Sequence, residues 1–147
     1  GGMPPKLAVG GNDSAGERVQ RLLPDAHVVK AFNTVGSAHM FRPSFPGGPP
    51  DMFICGNHDE AKKTVAGILS DFGWGVVDIG GIESSRYLEA MCLVWVLHGA
   101  RTNTWNHAFK LLRRKGGRDD RLHHGSNRAR RSGGTTGHRS SRRPKTR

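Results

Sequence analysis

Cysteine is scarce here: 147 residues contain two. Cys55 and Cys92 lie in apolar settings and form no C-x-x-C pair. That rules against a disulfide scaffold and suits a reducing compartment, so a cytoplasmic location is expected. The longest apolar run, Ala90 to Leu97, falls far short of the roughly 20 residues that span a bilayer, and no membrane partner is expected. No charged-then-apolar leader opens the sequence. Catalytic dyads are missing as well, with no Ser-His-Asp, paired-carboxylate or Cys-His spacing. His58, His98 and His107 are too scattered to read as metal ligands and fit surface or packed positions better. Hydrolytic and metal chemistry therefore have no visible carrier, and no catalytic residue is assigned.

Acidic charge is scarce at one end only. The net charge is +11 and the pI near 10.8. Residues 1–114 hold 12 basic and 10 acidic side chains, whereas residues 115–147 hold 11 and 2. The basicity therefore belongs to a tail. That tail has no aromatic residue, and Leu122 is its only larger aliphatic. It cannot bury enough apolar surface to offset its ordering entropy, and it reads as a disordered or non-native basic segment. Contact with nucleic acid is expected only as non-specific attraction to the tail, because the aromatics that stack bases are missing there.

Residues 1–114 alternate helical and extended signals. Leu7–Gly10 reads as a short strand. Ser14 and Glu17 have capping-box spacing, and the helix they open carries Val19, Leu22 and Leu23 before Pro24 stops it. His27–Phe32 reads as a buried strand and Met40–Pro50 as a Pro/Gly loop. Asp51–Gly56 is a second strand. Asn57 and Asp59 are candidate caps of a helix through Phe72, whose stripe is Ala61, Val65, Ile68, Leu69 and Phe72, with Gly73 as its terminator. Gly75–Ile79 is a third strand. From Glu83 to about His98 a helix becomes apolar all round, so a subunit interface, or burial against a further segment, is expected. Trp105, Ala108, Phe109 and Leu112 suggest a last amphipathic helix. Strand–helix alternation points to an α/β fold with a parallel sheet and C-terminal helices.

The stretch from His27 to Gly36, HVVKAFNTVG, is the most informative ten residues. A continuous apolar strand bounded by turn residues is what a sheet covered on both faces produces. In parallel sheets ligands sit outside the carboxyl ends of strands, which would place Asn33 and Thr34 at a binding crevice. An Asx turn that merely caps the strand exit is the alternative.

Three ordered blocks, VVKAFNTVGSAHM, FPGGPPDMFICGN and DEAKKTVAGILSDFGWGVVDIGGIESSRYLEAMCLVWVL, resemble the NADPH-dependent reductases of the deazaflavin coenzyme F-420 and their dinucleotide-binding relatives. The resemblance covers residues 1–114 and implies a partial Rossmann-like domain, NADP(H) and F-420 as cofactors, a small-molecule acceptor and a homodimer. It carries Asn33, Thr34, Val35 and Gly36 to the cofactor site, beside the nicotinamide and the incoming ring. The family's opening G-x-G-x-x-G turn has no counterpart here. Gly10–Gly16 has the wrong spacing, and read as a phosphate loop it is followed by Glu17-Arg18 instead of Lys-Ser/Thr. The chain is thus expected to be the back portion of a larger oxidoreductase that is inactive alone. A basic nucleic-acid-binding protein and an oligomerisation module built on the Ala90–Leu97 helix are the alternatives.

Overall fold

Six consecutive residues with almost no exposed side chain set the centre of the molecule. In the computed structural model, which describes residues 3–114, Met52, Ile54 and Cys55 are at most 1% exposed. They belong to β2 (Asp51–Gly56), the middle strand of a three-stranded sheet ordered β1–β2–β3. Burial on both faces explains the uninterrupted apolar run. β3 (Gly75–Asp78) pairs parallel to β2 across the crossover helix α2 (Asp59–Asp71). β1 is two residues long, Val29–Lys30, and pairs antiparallel, with Val29 opposite Gly56 and Lys30 opposite Cys55. The α/β class holds, and the sheet is mixed rather than wholly parallel.

α1 (Ala15–Leu22) and α3 (Ser85–Thr102) complete the regular elements, with short 3₁₀ turns at Ser37–His39 and Ile82–Ser84. Met52, Ile54, Leu69 and Trp74 form the core cluster, against which Val29, Phe32, Val35 and Ala108 pack. Gly73, at φ 91, ends α2 as its position suggested. No helix among the described residues is long and apolar enough to cross a membrane.

Several local expectations change. No strand forms over Leu7–Gly10. The apolar residues of α1 face outward, with Leu22 78% exposed, because the helix packs inward through Gly16 instead. The cap of α2 is His58, whose Nδ1 accepts from the Ala61 amide at 3.2 Å, while Asn57 accepts from the Ile82 amide at 2.8 Å. The third strand ends at Asp78, before Ile79. The helix expected over Trp105–Leu112 does not form. Asn103 turns left-handed at φ 50 and stops α3, and the following segment runs extended along it. The Asp51 amide then donates to Phe109 O, and the Leu111 amide to the Asp51 carboxylate. This stretch therefore finds its backbone partners on β2, on the edge opposite β3, and not within itself. The tail from residue 115 lies outside the described residues.

Candidate functional site

β1 runs antiparallel to β2, so its exit differs from the carboxyl-end position expected of a strand in a parallel sheet. The exit of β1, and with it Asn33, points toward the amino end of β2. At the carboxyl end of β2, where a parallel sheet would place a ligand, lies a hollow of about 410 Å³ lined by Gln20, Pro24, Ala26, His27, Asn57 and His58. The His27 and His58 rings stack there at 3.8 Å. Several of its polar groups are already engaged. The Gln20 amide bonds Leu23 O, Ala26 O and the Val28 amide, and the Asn57 carbonyl holds Ile82.

The Asn33–Gly36 loop is built by a backbone reversal. Phe32 takes φ 54, a left-handed conformation that costs a bulky residue of order 1 kcal/mol and persists only where the surroundings impose it. The ring of Phe32 is held against the core and lies 6.2 Å from that of Phe72. The bend swings Asn33 toward α3, where its Nδ2 donates to Leu88 O at 2.5 Å. Thr34 is 3% exposed and Val35 packs on the core cluster. Gly36 has an ordinary φ of −79 and faces the Trp95 ring, which a Cβ at that position would meet at 3.6 Å. The four residues thus form one anchored loop, with Thr34 and Val35 turned inward.

One turn of α3 receives that loop and a second clamp beside it. Lys30 Nζ lies 3.1 Å from the Glu89 carboxylate, both side chains being largely buried. The same carboxylate accepts from the Ala15 and Gly16 amides at 3.0 Å each. Burial pushes the Glu89 pKa up, but those two amides and Lys30 outweigh it, and the net shift is downward. The helix α1 N-terminus, which follows the chain's glycine-containing Gly10–Gly11 turn, is therefore filled by a carboxylate of the chain itself. No free amide pair remains at Ala15 and Gly16 to hold a phosphate. Ser14 caps the same helix from the Glu17 amide, and Glu17 forms a two-pronged pair with Arg86 at 2.6 and 2.8 Å.

Beyond Gly36 the wall is aromatic. Trp95 Nε1 donates to His107 O while His107 Nε2 donates to Trp95 O, at 3.1 and 3.0 Å. Trp105 lies against α3 because Gly99 has no side chain; a Cβ there would fall 2.4 Å from the indole. Burial raises the pKa of both Cys55 and Cys92, which disfavours thiolate chemistry at either. Among the described residues no group of three or more His, Cys, Asp or Glu could hold a metal ion. Lys30, Glu89 and Arg86 were missed from sequence, since each takes its place only through partners distant in the chain. The alternation of Trp105 and His107 was the one local signal that the last segment is extended.

The chain is similar in sequence and fold to parts of other proteins. Over 92 residues the chain is 35% identical to the F420-dependent NADP reductase of Methanocaldococcus jannaschii, covering 62% of this chain and 41% of that protein. A crystal structure from Arthrobacter sp. fb24, described as a candidate F420-dependent NADP reductase, superposes with a TM-score of 0.72 at 38% identity, over 76% of this chain and 51% of that one. The chain resembles part of the F420-dependent NADP reductases. It spans about half the length of these relatives or less. A further match, 36% identical over 80 residues, is the metalloreductase STEAP3 of Rattus norvegicus, of which this chain covers 16%. No family model matches.

Proposed function

We propose that residues 3–111 form part of an NADP(H)-dependent oxidoreductase that passes hydride between NADPH and a deazaflavin of the F420 type. The observation that carries it is the agreement of sequence and fold with the F420-dependent NADP reductases over three quarters of the chain. The metalloreductase match carries over the oxidoreductase class but not the acceptor, because so little of that protein is covered. The cytoplasm is the compartment such cofactors imply, and a homodimer is the assembly the family resemblance implies.

In this proposal the Asn33–Gly36 loop lies beside the nicotinamide. The cofactor supplies the hydride, and the protein's part is to align two flat rings and keep water out. Asn33 suits that role because its Nδ2 is fixed on Leu88 O, so its Oδ1 is held rigidly and has no other partner among the described residues. A carboxamide N–H would find an acceptor there. Thr34 and Val35 support the loop from beneath, and Gly36 leaves the Trp95 face uncrowded. The pyrophosphate grip is assigned to sequence outside these residues, since the N-terminus of α1 is taken by Glu89.

Calorimetric titration with NADPH tests that assignment. This chain by itself should bind with a dissociation constant in the millimolar range or weaker, about −4 kcal/mol. Micromolar binding would show that a complete cofactor grip resides within it.

A further inference from the structure

We propose that the hollow at the carboxyl end of β2 binds a phosphate group, held by Asn57, His58 and His27. None of the residues of the Asn33–Gly36 loop lines it, and the proposal does not depend on the oxidoreductase activity.

The register of β1 brings the two histidines together. Val29 stands opposite Gly56 in the antiparallel pair, and counting outward from there sets His27 against His58. Residues that face each other in this way have Cβ atoms roughly 5 Å apart, close enough for their rings to meet. The rings stack at 3.8 Å with 12° between their planes. Gln20 fixes the wall beside them, because its side chain bonds Leu23 O, Ala26 O and the Val28 amide. The hollow of about 410 Å³ is therefore formed before any ligand arrives.

Bonds already made decide what the hollow can hold. His58 Nδ1 accepts from the Ala61 amide, so that nitrogen carries no proton and Nε2 carries one. Asn57 Oδ1 accepts from the Ile82 amide, which leaves its amino group as the free end. Among the described residues the His27 ring is held by stacking and by no hydrogen bond, and its N–H is a third donor. No acidic side chain lines the hollow. Asp59 and Glu60 line a different one, together with Lys62 and Lys63. A metal ion would need a lone pair where His58 presents a proton. A phosphate offers an oxygen to each of the three donors, whereas a carboxylate has only two.

Titration of the full chain with inorganic phosphate, at pH 7 and constant ionic strength, tests this by NMR. The imidazole signals of His27 and His58 and the side-chain amide of Asn57 should shift together, with one dissociation constant of about 1 mM. Asn57→Asp keeps the oxygen for Ile82 and replaces the donor with an acceptor. His27→Phe keeps the stack without its N–H, and His58→Ser keeps a cap for Ala61 while withdrawing Nε2. Each should weaken binding about tenfold or more, with the melting temperature within about 2 °C of wild type. Acetate should bind at least about fivefold more weakly than phosphate. Glycerol phosphate binding at least as tightly as inorganic phosphate marks an ester as the source of the group, and weaker binding marks free phosphate. Absence of saturable shifts at these three residues up to about 50 mM would overturn the proposal. So would folded variants that bind as wild type does, or acetate that binds as tightly as phosphate.

Discussion

Glu89 joins three elements with one carboxylate: it caps α1, pairs with Lys30 of β1 and projects from α3. Removing it leaves Lys30 without its partner and two helix amides unsatisfied. Glu89→Ala should therefore cost about 3 kcal/mol, read as a shift of the urea midpoint. Its folded pKa lies below the ordinary 4.5. The stabilisation is thus present above the unfolded pKa and is lost as pH falls through the folded one. Wild type should lose stability through that acid window, and Glu89→Gln should lose less there, so the two converge on acidification. A pH-independent gap between them would contradict the assignment of the downward shift to these partners. Asn33 differs, because its bond to Leu88 O makes it part of the architecture whatever else it does. Asn33→Ala should cost about 1 kcal/mol of stability. If its Oδ1 also orients a ring, the same variant should lower turnover of an assembled enzyme by about 5- to 150-fold per folded molecule, for a bond of roughly 1–3 kcal/mol. Normal turnover per folded molecule would leave Asn33 with its structural role alone.

At the level of elements, the packing of α1 on the start of α3 hangs on Gly16. A Cβ there would lie 2.2 Å from Ser85 Oγ and 2.7 Å from its Cβ, with Ser85 itself fully buried. Gly16→Ala should cost about 1–3 kcal/mol by overpacking, while Gly67→Ala, on the open face of α2 with nothing within 4 Å, should stabilise by up to about 1 kcal/mol. Thermal melts of the two variants should move in opposite directions. Elements whose signals are local were legible from sequence: β2 by its buried run, α1 by Ser14, and the end of α2 by Gly73. Those decided by distant partners were not. The direction of β1 depends on its pairing with Cys55 and Gly56, and no residue of HVVKAFNTVG encodes it. The spacing of Trp105, Ala108, Phe109 and Leu112 matched a helix, but the left-handed Asn103 and the bonds to the Asp51 amide and carboxylate favoured a non-helical chain. His58 acts as a cap through a ring nitrogen, an uncommon substitute for the expected Asn or Asp.

For the whole molecule, these residues are proposed to carry the ring-aligning part of an oxidoreductase similar to the F420-dependent NADP reductases. The loop from Asn33 to Gly36 was singled out in the sequence through family resemblance, and the cofactor role proposed for it rests on that. The clamp beside it, Lys30 with Glu89, came only from the fold, because β1 and α3 are far apart in the chain. The most direct measurement is a graft. The 92 matched residues of the Methanocaldococcus jannaschii reductase are replaced by their counterparts from this chain, and NADPH-dependent reduction of F420 is followed by the loss of deazaflavin absorbance. The account predicts a folded chimaera with measurable hydride transfer, which falls when Asn33 is changed to Ala. A chimaera that folds cooperatively and binds NADPH, yet transfers no hydride to F420, would contradict it.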